Sequence, residues 1–343
     1  MDFVKQKESK ECTITIYDIA SEAGVSITTV SRVLNTPEKV SRATRKRVES
    51  ILKKYNYSPN DMARGLVYNS MKTVGILVTD IRNQHFSTSA YILEDMFFNF
   101  GYTTLLCNTG EDVERKIKYI QILSGKKADG LVLLGSVYSG SEIEQMINNY
   151  MPRTPIITSN NRLSIPNGYS VLIDHSYSME LAITHLMQRG HKEFCFIHSN
   201  DSYNTHRKEK AFIQVIQNKG LVINPDKHLY HAEHGPIGGR NFADFVLDSK
   251  ISAKAFIFMD DYTAIGAVSQ FRKRGARIPE DFAIVGHDNS TFAICSEPQL
   301  TTIDTRIEAM SRVMANTLHD IFQKKEVGTT IMLRPDLIIR EST

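Results

Sequence analysis

The chain is 343 residues long, enough for two or three domains and too much for one small module. Its 41% apolar and 23% charged residues exclude disorder throughout and supply material for a sizeable core. The net charge of +3 sits at the start, where residues 1–66 hold twelve Lys/Arg against eight Asp/Glu; a basic head on a nearly neutral body suggests that a polyanion is met at the N-terminus.

No apolar run approaches the roughly 18 residues that cross a bilayer, and the polar stretch Met1–Glu11 lacks the apolar core of an export signal. The expectation is a cytoplasmic protein without a membrane partner. Cys12, Cys107, Cys195 and Cys295 lie far apart and form no CxxC pair, so reduced thiols are expected and neither a disulfide framework nor a zinc knuckle is indicated. The GxSxG, HExxH and GxxxxGK[ST] patterns are absent, which argues against an enzyme and leaves no cofactor or metal to expect. His228, His231 and His234 recur every three residues, but on an extended segment such residues face opposite sides and do not converge on a metal.

Residues 1–14 are expected to be a flexible start. From Thr15, the Thr15/Asp18 pair has capping-box spacing, and Ile16, Ile19, Ala20 and Ala23 fall on one helical face. Gly24 can end this helix and Ser26 can cap a second one running to about Asn35. In that second helix Val30, Val33 and Leu34 share one side, with Thr28 and Arg32 opposite and Thr29 and Ser31 flanking. Such a small, polar, cationic face suits a major groove: hydroxyls for phosphates or base edges, Arg32 for guanine, Ile27 for a thymine methyl. A helical hairpin with a solvated face has the same pattern. Ser41 caps a third helix whose Val48, Ile51, Leu52 and Tyr55 can close a three-helix core. From Ser58 to Leu66 a cap, a proline and an acid encode one or two further helical turns; so short a helix suits a linker that folds on DNA, or is simply a capped turn.

Residues 73–290 alternate apolar strands with amphipathic helices. The strands are Val74–Val78, Thr103–Cys107, Leu131–Leu134, Ile156–Thr158, Val171–Ile173, Phe194–Ile197, Phe256–Met259 and Ala283–Val285. Glycines 101, 125, 190, 220 and 275 follow helical stretches, where a left-handed residue is expected. Two parallel-sheet lobes with a cleft between them fit this length, and ligands then bind beyond the carboxyl ends of the strands. Asp80, Asn83, Asn160, Asp174, Asp261 and Asp288 stand there, with Phe86 able to stack on a sugar face; each polar residue taken singly also reads as a loop or helix cap.

The segments TIYDIASEAGVSITTVSRVLN and VSRATRKRVESILKKYNYSPNDMARGL resemble the LacI/GalR family of bacterial transcription repressors, and the likeness continues through DIRNQHF, ADGLVLLGS, QRGHKEFCFI, FMDDYTAIGAV, RIPEDFAIVGHDN, QLTTID and RPDLIIREST. The resemblance implies an all-α helix-turn-helix domain at 15–57, a hinge helix and linker at 58–72, and a periplasmic-binding-protein-like α/β core at 73–343. The core's lobes would be about 73–160 with 291–322, and 161–290 with 323–343. Ile27, Thr28 and Arg32 would read bases, Thr29, Ser31 and Asn35 would lie near the DNA backbone, Asn60 and Arg64 would belong to the hinge helix, and Leu66 would wedge the minor groove. Asn160, Lys208 and Asp288, then Asp174, Asn83 and Phe86, would meet a small-molecule effector such as a sugar, and a homodimer would read a near-palindromic double-stranded operator. Three positions depart from the family pattern: Gln84 replaces a common proline, His287 a common tyrosine and Lys208 a usual arginine. They weaken the case for an ordinary neutral sugar. Lys208 beside Arg207 suits a phosphorylated or acidic molecule, or is solvated. The rival reading is a cytoplasmic small-molecule-binding or enzymatic α/β protein with an incidental basic head.

Overall fold

The computed structural model describes residues 14–57, 70–199, 202–249 and 251–343, and the chain divides into two compact units, 1–71 and 72–343. The expected flexible start up to residue 13 and the hinge segment with Asn60, Arg64 and Leu66 lie outside the described residues. Among the described residues no helix is long and apolar enough to cross a membrane.

The first unit contains α1 (Ile16–Ala23), α2 (Ile27–Asn35) and α3 (Arg42–Lys54). Thr15 and Asp18 close a reciprocal capping box: Thr15 N–H donates to Asp18 Oδ2 at 2.8 Å, and Asp18 N–H to Thr15 Oγ1 at 3.4 Å. Gly24 takes φ 62° and reverses the chain, after which Ser26 Oγ accepts from Thr29 N–H at 3.2 Å and starts α2. Ser41 Oγ accepts from Thr44 N–H at 3.3 Å to start α3. Ile19, Ala20, Ala23, Val30, Val33, Val48 and Ile51 form one small core. Tyr55, expected in that core, is 36% exposed beneath the Lys54 ammonium, and Tyr57 packs instead. The reason is local: α3 ends at Lys54, so Tyr55 leaves the helical face that its spacing implied.

The second unit is built on two six-stranded sheets. Its strands are β1 (Thr73–Val78), β2 (Thr103–Asn108), β3 (Gly130–Leu134), β4 (Ile156–Ser159), β5 (Gly168–Ile173), β6 (Phe194–His198), β7 (Leu229–His231), β8 (Ala255–Phe258), β9 (Ala283–His287), β10 (Thr301–Asp304), β11 (Thr330–Leu333) and β12 (Asp336–Ile338). One sheet runs β11-β5-β4-β3-β1-β2, entirely parallel; the other runs β12-β10-β9-β8-β6-β7, with only β12 antiparallel. Helices cover both faces of each. In β1, Ile76 and Val78 face the helices Gln84–Asn99 and Ile307–Phe322 while Leu77 faces the opposite core, as the two-residue strand period requires.

Strand pairing moves the lobe changeovers. β5 and β11 belong to the first sheet and β10 to the second, so the chain crosses after Ile173, between β10 and the helix Ile307–Phe322, and between β11 and β12. The expected crossings near 160, 290 and 322 are corrected accordingly. Apolar runs mark strands but not the sheet each joins: β5 pairs with β4 beside it in sequence and also with the distant β11, Ser170 opposite Thr330. Gly125 is a smaller correction: it stays helical, and Lys127 takes the left-handed turn at φ 54°.

Candidate functional site

On α2 of the first unit, Ile27, Thr28 and Arg32 are exposed, Thr29 and Ser31 half-buried, and Val30 and Val33 buried, so the polar face points away from the three-helix core. Thr29 Oγ1 lies 2.9 Å from Ser26 Oγ and is part of the cap. Asn35 ends α2.

In the second unit a cleft opens where the strand ends of both sheets meet, as the architecture of open α/β sheets requires. It has two chambers, an inner one of about 510 Å³ and an outer one of about 580 Å³, which share Asp80, Asn83, His85, His234, Asp260 and Asp288 as a common wall. Of the expected effector residues, Asn83, Phe86, Asn160, Lys208 and Asp288 line the inner chamber. Asp174 lines neither; its Oδ1 accepts from Tyr177 N–H at 3.0 Å and caps the helix His175–Gln188. A carboxylate just after a strand serves as cap or ligand equally well, and here the helix start takes it.

Lys208 is not solvated. It is 3% exposed, and its Nζ donates to Met259 O at 3.0 Å and lies 3.2 Å from His287 Nδ1. Burial lowers its pKa, and the nearby Asp288 and Asp260 act in the opposite direction. His287 is 1% exposed, and burial followed by Lys208 pushes its pKa down to about 4, so the ring is neutral at physiological pH. Asp288, held at φ 100°, has Oδ1 3.2 Å from His287 Nδ1 and 3.7 Å from His85 Nδ1. Burial raises its carboxyl, but His85, His287 and Lys208 outweigh that and hold it well below the usual range. His287 Nδ1 thus has two neighbours and one bond to give. If it accepts from Lys208, Nε2 carries the proton; if it donates to Asp288, Nε2 is a bare acceptor. In both cases Nε2 is buried without a partner.

The same holds elsewhere around the chamber. His175 Nε2 is 2.5 Å from Asn204 Oδ1, so it carries the proton and leaves Nδ1 as an acceptor with no partner. Thr79 Oγ1 and Ser199 Oγ are also buried and unpartnered, and both residues line the inner chamber. Buried polar atoms normally find partners, because leaving one unmet costs about 1–3 kcal/mol. With His85 Nδ1, five such atoms among the described residues surround the inner chamber, leaving hydrogen-bonding capacity that water or a ligand bearing donors and acceptors can meet.

Of the acidic groups lining the chambers, Asp80 is paired with Arg82, burial raises Asp260 and Asp261 towards the neutral acid, Asp288 lies beside Lys208 and His287, and Glu111, Glu233 and Glu308 complete the set. Arg82 is committed to Asp80 at 2.7 Å, and Lys208 to the contacts above. Of the two cations expected to suit an acidic or phosphorylated molecule, Lys208 lines the inner chamber and Arg207 lines neither.

Two family models match this chain: bacterial regulatory proteins of the lacI family over residues 15–60, and the periplasmic binding protein-like domain over residues 183–343. The HTH-type transcriptional repressor PurR of Haemophilus influenzae is 31% identical over 335 residues, covering 96% of this chain and 98% of its own. The chain belongs to the LacI family. An HTH-type transcriptional regulator of Lachnoclostridium phytofermentans is 30% identical over 334 residues, covering 96% and 99%. Among solved structures, the Lac repressor dimer bound to operator and the anti-inducer ONPF superposes with a TM-score of 0.86 at 21% identity, covering 96% of this chain and 98% of that one. The transcriptional regulator CelR–cellobiose complex gives 0.71 at 25% identity, covering 96% and 100%.

This LacI-family chain is thus a DNA-binding transcription regulator with a helix-turn-helix head and a periplasmic-binding-protein-like effector domain. Several residues of its cleft carry no distinguishing mark in the sequence. His85, His175 and His234 line it, and of the three spaced histidines only His234 reaches both chambers; His231 instead packs against His198 at 5.6 Å, and His228 Nδ1 accepts from Asn224 N–H. The available signal was position after a strand, which applies to His175 as it does to Asp174. Among the described residues no group of three or more His, Cys, Asp or Glu is arranged to hold a metal.

Proposed function

We propose that this regulator is a cytoplasmic homodimeric repressor whose heads read a near-palindromic operator and whose cleft binds a hydroxyl-rich effector. Ile27, Thr28 and Arg32 are assigned to base edges and Thr29, Ser31 and Asn35 to the DNA backbone; the assignment extends to Asn60, Arg64 and Leu66, outside the described residues. Asn83, Phe86, Asn160, Lys208 and Asp288 are assigned to the effector chamber, joined by His175 and His287. The names of relatives support the reading: a repressor, and a repressor dimer bound to operator. The observation that carries the effector class is the set of buried, unpartnered polar atoms on Thr79, His175, Ser199 and His287. The cleft is read as a site of binding without turnover. An effector that prefers one closure of the two lobes shifts operator affinity by its difference in affinity for the two states, and by no more.

The test is selection of duplexes from a random-sequence pool by the full-length protein, with and without a panel of sugars, followed by Arg32→Ala on the selected site. A shared two-fold symmetric sequence should emerge, and Arg32→Ala should lose about 1–3 kcal/mol of discrimination while random-duplex binding changes much less. Equal loss on both duplexes refutes base reading, and a pool with no shared site refutes the function.

A further inference from the structure

Arg207 and Lys208 are neighbours on the helix Tyr203–Asn218, but Lys208 enters the inner chamber and Arg207 turns aside from both chambers. Arg207 is half-buried, and its guanidinium carbon lies 5.8 Å from the centre of the Tyr203 ring. Its Nη1 is buried without a partner, and no hydrogen bond or ion pair joins the guanidinium to a described residue. Burial opposes its charge most, and Arg162, on the loop that follows β4 in the first lobe, adds a repulsion. The Asp174 carboxylate attracts it from a distance but is engaged in capping the helix His175–Gln188. Asn161, the residue before Arg162, is 0% exposed; its Oδ1 accepts from Arg162 N–H at 2.8 Å, and its Nδ2 is buried without a partner.

The unmet atoms of Arg207 and Asn161 are both N–H donors, whereas those of the inner chamber include hydroxyls and a ring nitrogen that accept. A guanidinium does not shed its proton, so leaving one buried and unpaired is costly, and the groups that match its fork are carboxylates and oxyanions. Donors alone are answered by a ligand that only accepts. We propose that Arg207 and Arg162 form an oxyanion site, separate from both chambers, that takes phosphate or the phosphoryl end of a small metabolite, with Arg207 as its anchor. Arg162 stands on the first lobe and Arg207 on the second. A bound oxyanion thus replaces a repulsion between the lobes with a shared partner and favours their approach. The site gives the regulator a second chemical input that does not depend on what occupies the cleft.

Calorimetric titration of the full-length protein with inorganic phosphate and with methyl phosphate, at constant ionic strength, tests the site in wild type, Arg207→Gln, Arg162→Gln and Lys210→Gln. Lys210 is exposed on the same helix and controls for the loss of one charge. The expected result is saturable binding of one phosphate per chain, weaker by about tenfold or more in both arginine variants and unchanged in Lys210→Gln. Methyl phosphate binding tighter than phosphate assigns the site to an organic phosphate, and binding no tighter assigns it to the free ion. Heat denaturation gives a second reading: phosphate should raise the melting temperature of wild type and leave that of Arg207→Gln unmoved. Absence of saturable binding, binding that weakens equally in Lys210→Gln, or binding that survives both arginine substitutions overturns the proposal.

Discussion

Asp261 offers a sharp test of the electrostatics behind the cleft. It is 1% exposed; its Oδ2 accepts from Ser290 N–H at 2.7 Å and Ser290 Oγ at 3.0 Å, and its Oδ1 from Thr302 Oγ1 at 2.5 Å. Burial is the largest influence and pushes the carboxyl up to about 7, against those hydrogen bonds. The folded protein therefore holds a proton that an unfolded chain, with an aspartate near 3.9, releases. The associated stability is fully present below about pH 4 and is lost as pH rises through about 7, a swing of roughly 4 kcal/mol at ~1.4 kcal/mol per unit. Between pH 5 and 7 the loss is about 2–3 kcal/mol. Asp261→Asn imitates the protonated acid: its amide can donate to Thr302 Oγ1 while its oxygen still accepts from Ser290. Urea unfolding of both full-length proteins at matched ionic strength, followed through the core transition by circular dichroism because the chain has no tryptophan, isolates the group. The stability of Asp261→Asn relative to wild type should rise by that 2–3 kcal/mol from pH 5 to 7. A flat difference, or one that falls with pH, refutes the assignment of a burial-raised carboxyl.

Other consequences follow from packing. Ile19 is 0% exposed in the small core of the head, so Ile19→Ala should cost about 2–5 kcal/mol; operator binding should fail in a gel shift while effector-induced thermal stabilisation of the core persists. Thr15→Ala removes one side of the capping box and should lower the head's stability by about 1 kcal/mol, read as a shift of its thermal transition. A Cβ at Gly239 would stand 2.0 Å from Thr263 O and 2.8 Å from Ala267 N, both backbone atoms of the neighbouring helix, so Gly239→Ala must separate the two helices. Gly101→Ala meets nothing within 4 Å and pays only for φ 79°, about 1 kcal/mol. The melting temperature should fall much further for Gly239→Ala, and the reverse order would contradict the helix crossing.

What the chain reveals by itself is whatever a turn or two of neighbouring residues decides. Thr15, Ser26 and Ser41 cap helices because a hydroxyl three residues before a free backbone N–H reaches it in any surroundings. The polar face of α2 follows from helical period, and all eight strands expected before residue 290 occur because short apolar runs alternate with helical stretches, even at the largely exposed edge strand β2. Four strands were not foreseen: β7, β10, β11 and β12, each of three or four residues, too short to show a period. The tertiary structure alone decided which sheet β5, β10 and β11 join, that Asp174 caps a helix, and that Lys208 is buried against His287 instead of facing solvent. Those outcomes depend on pairings between segments up to 160 residues apart. Local propensity is silent about such pairings, because the energy that settles them comes from surfaces meeting only once the lobes have formed.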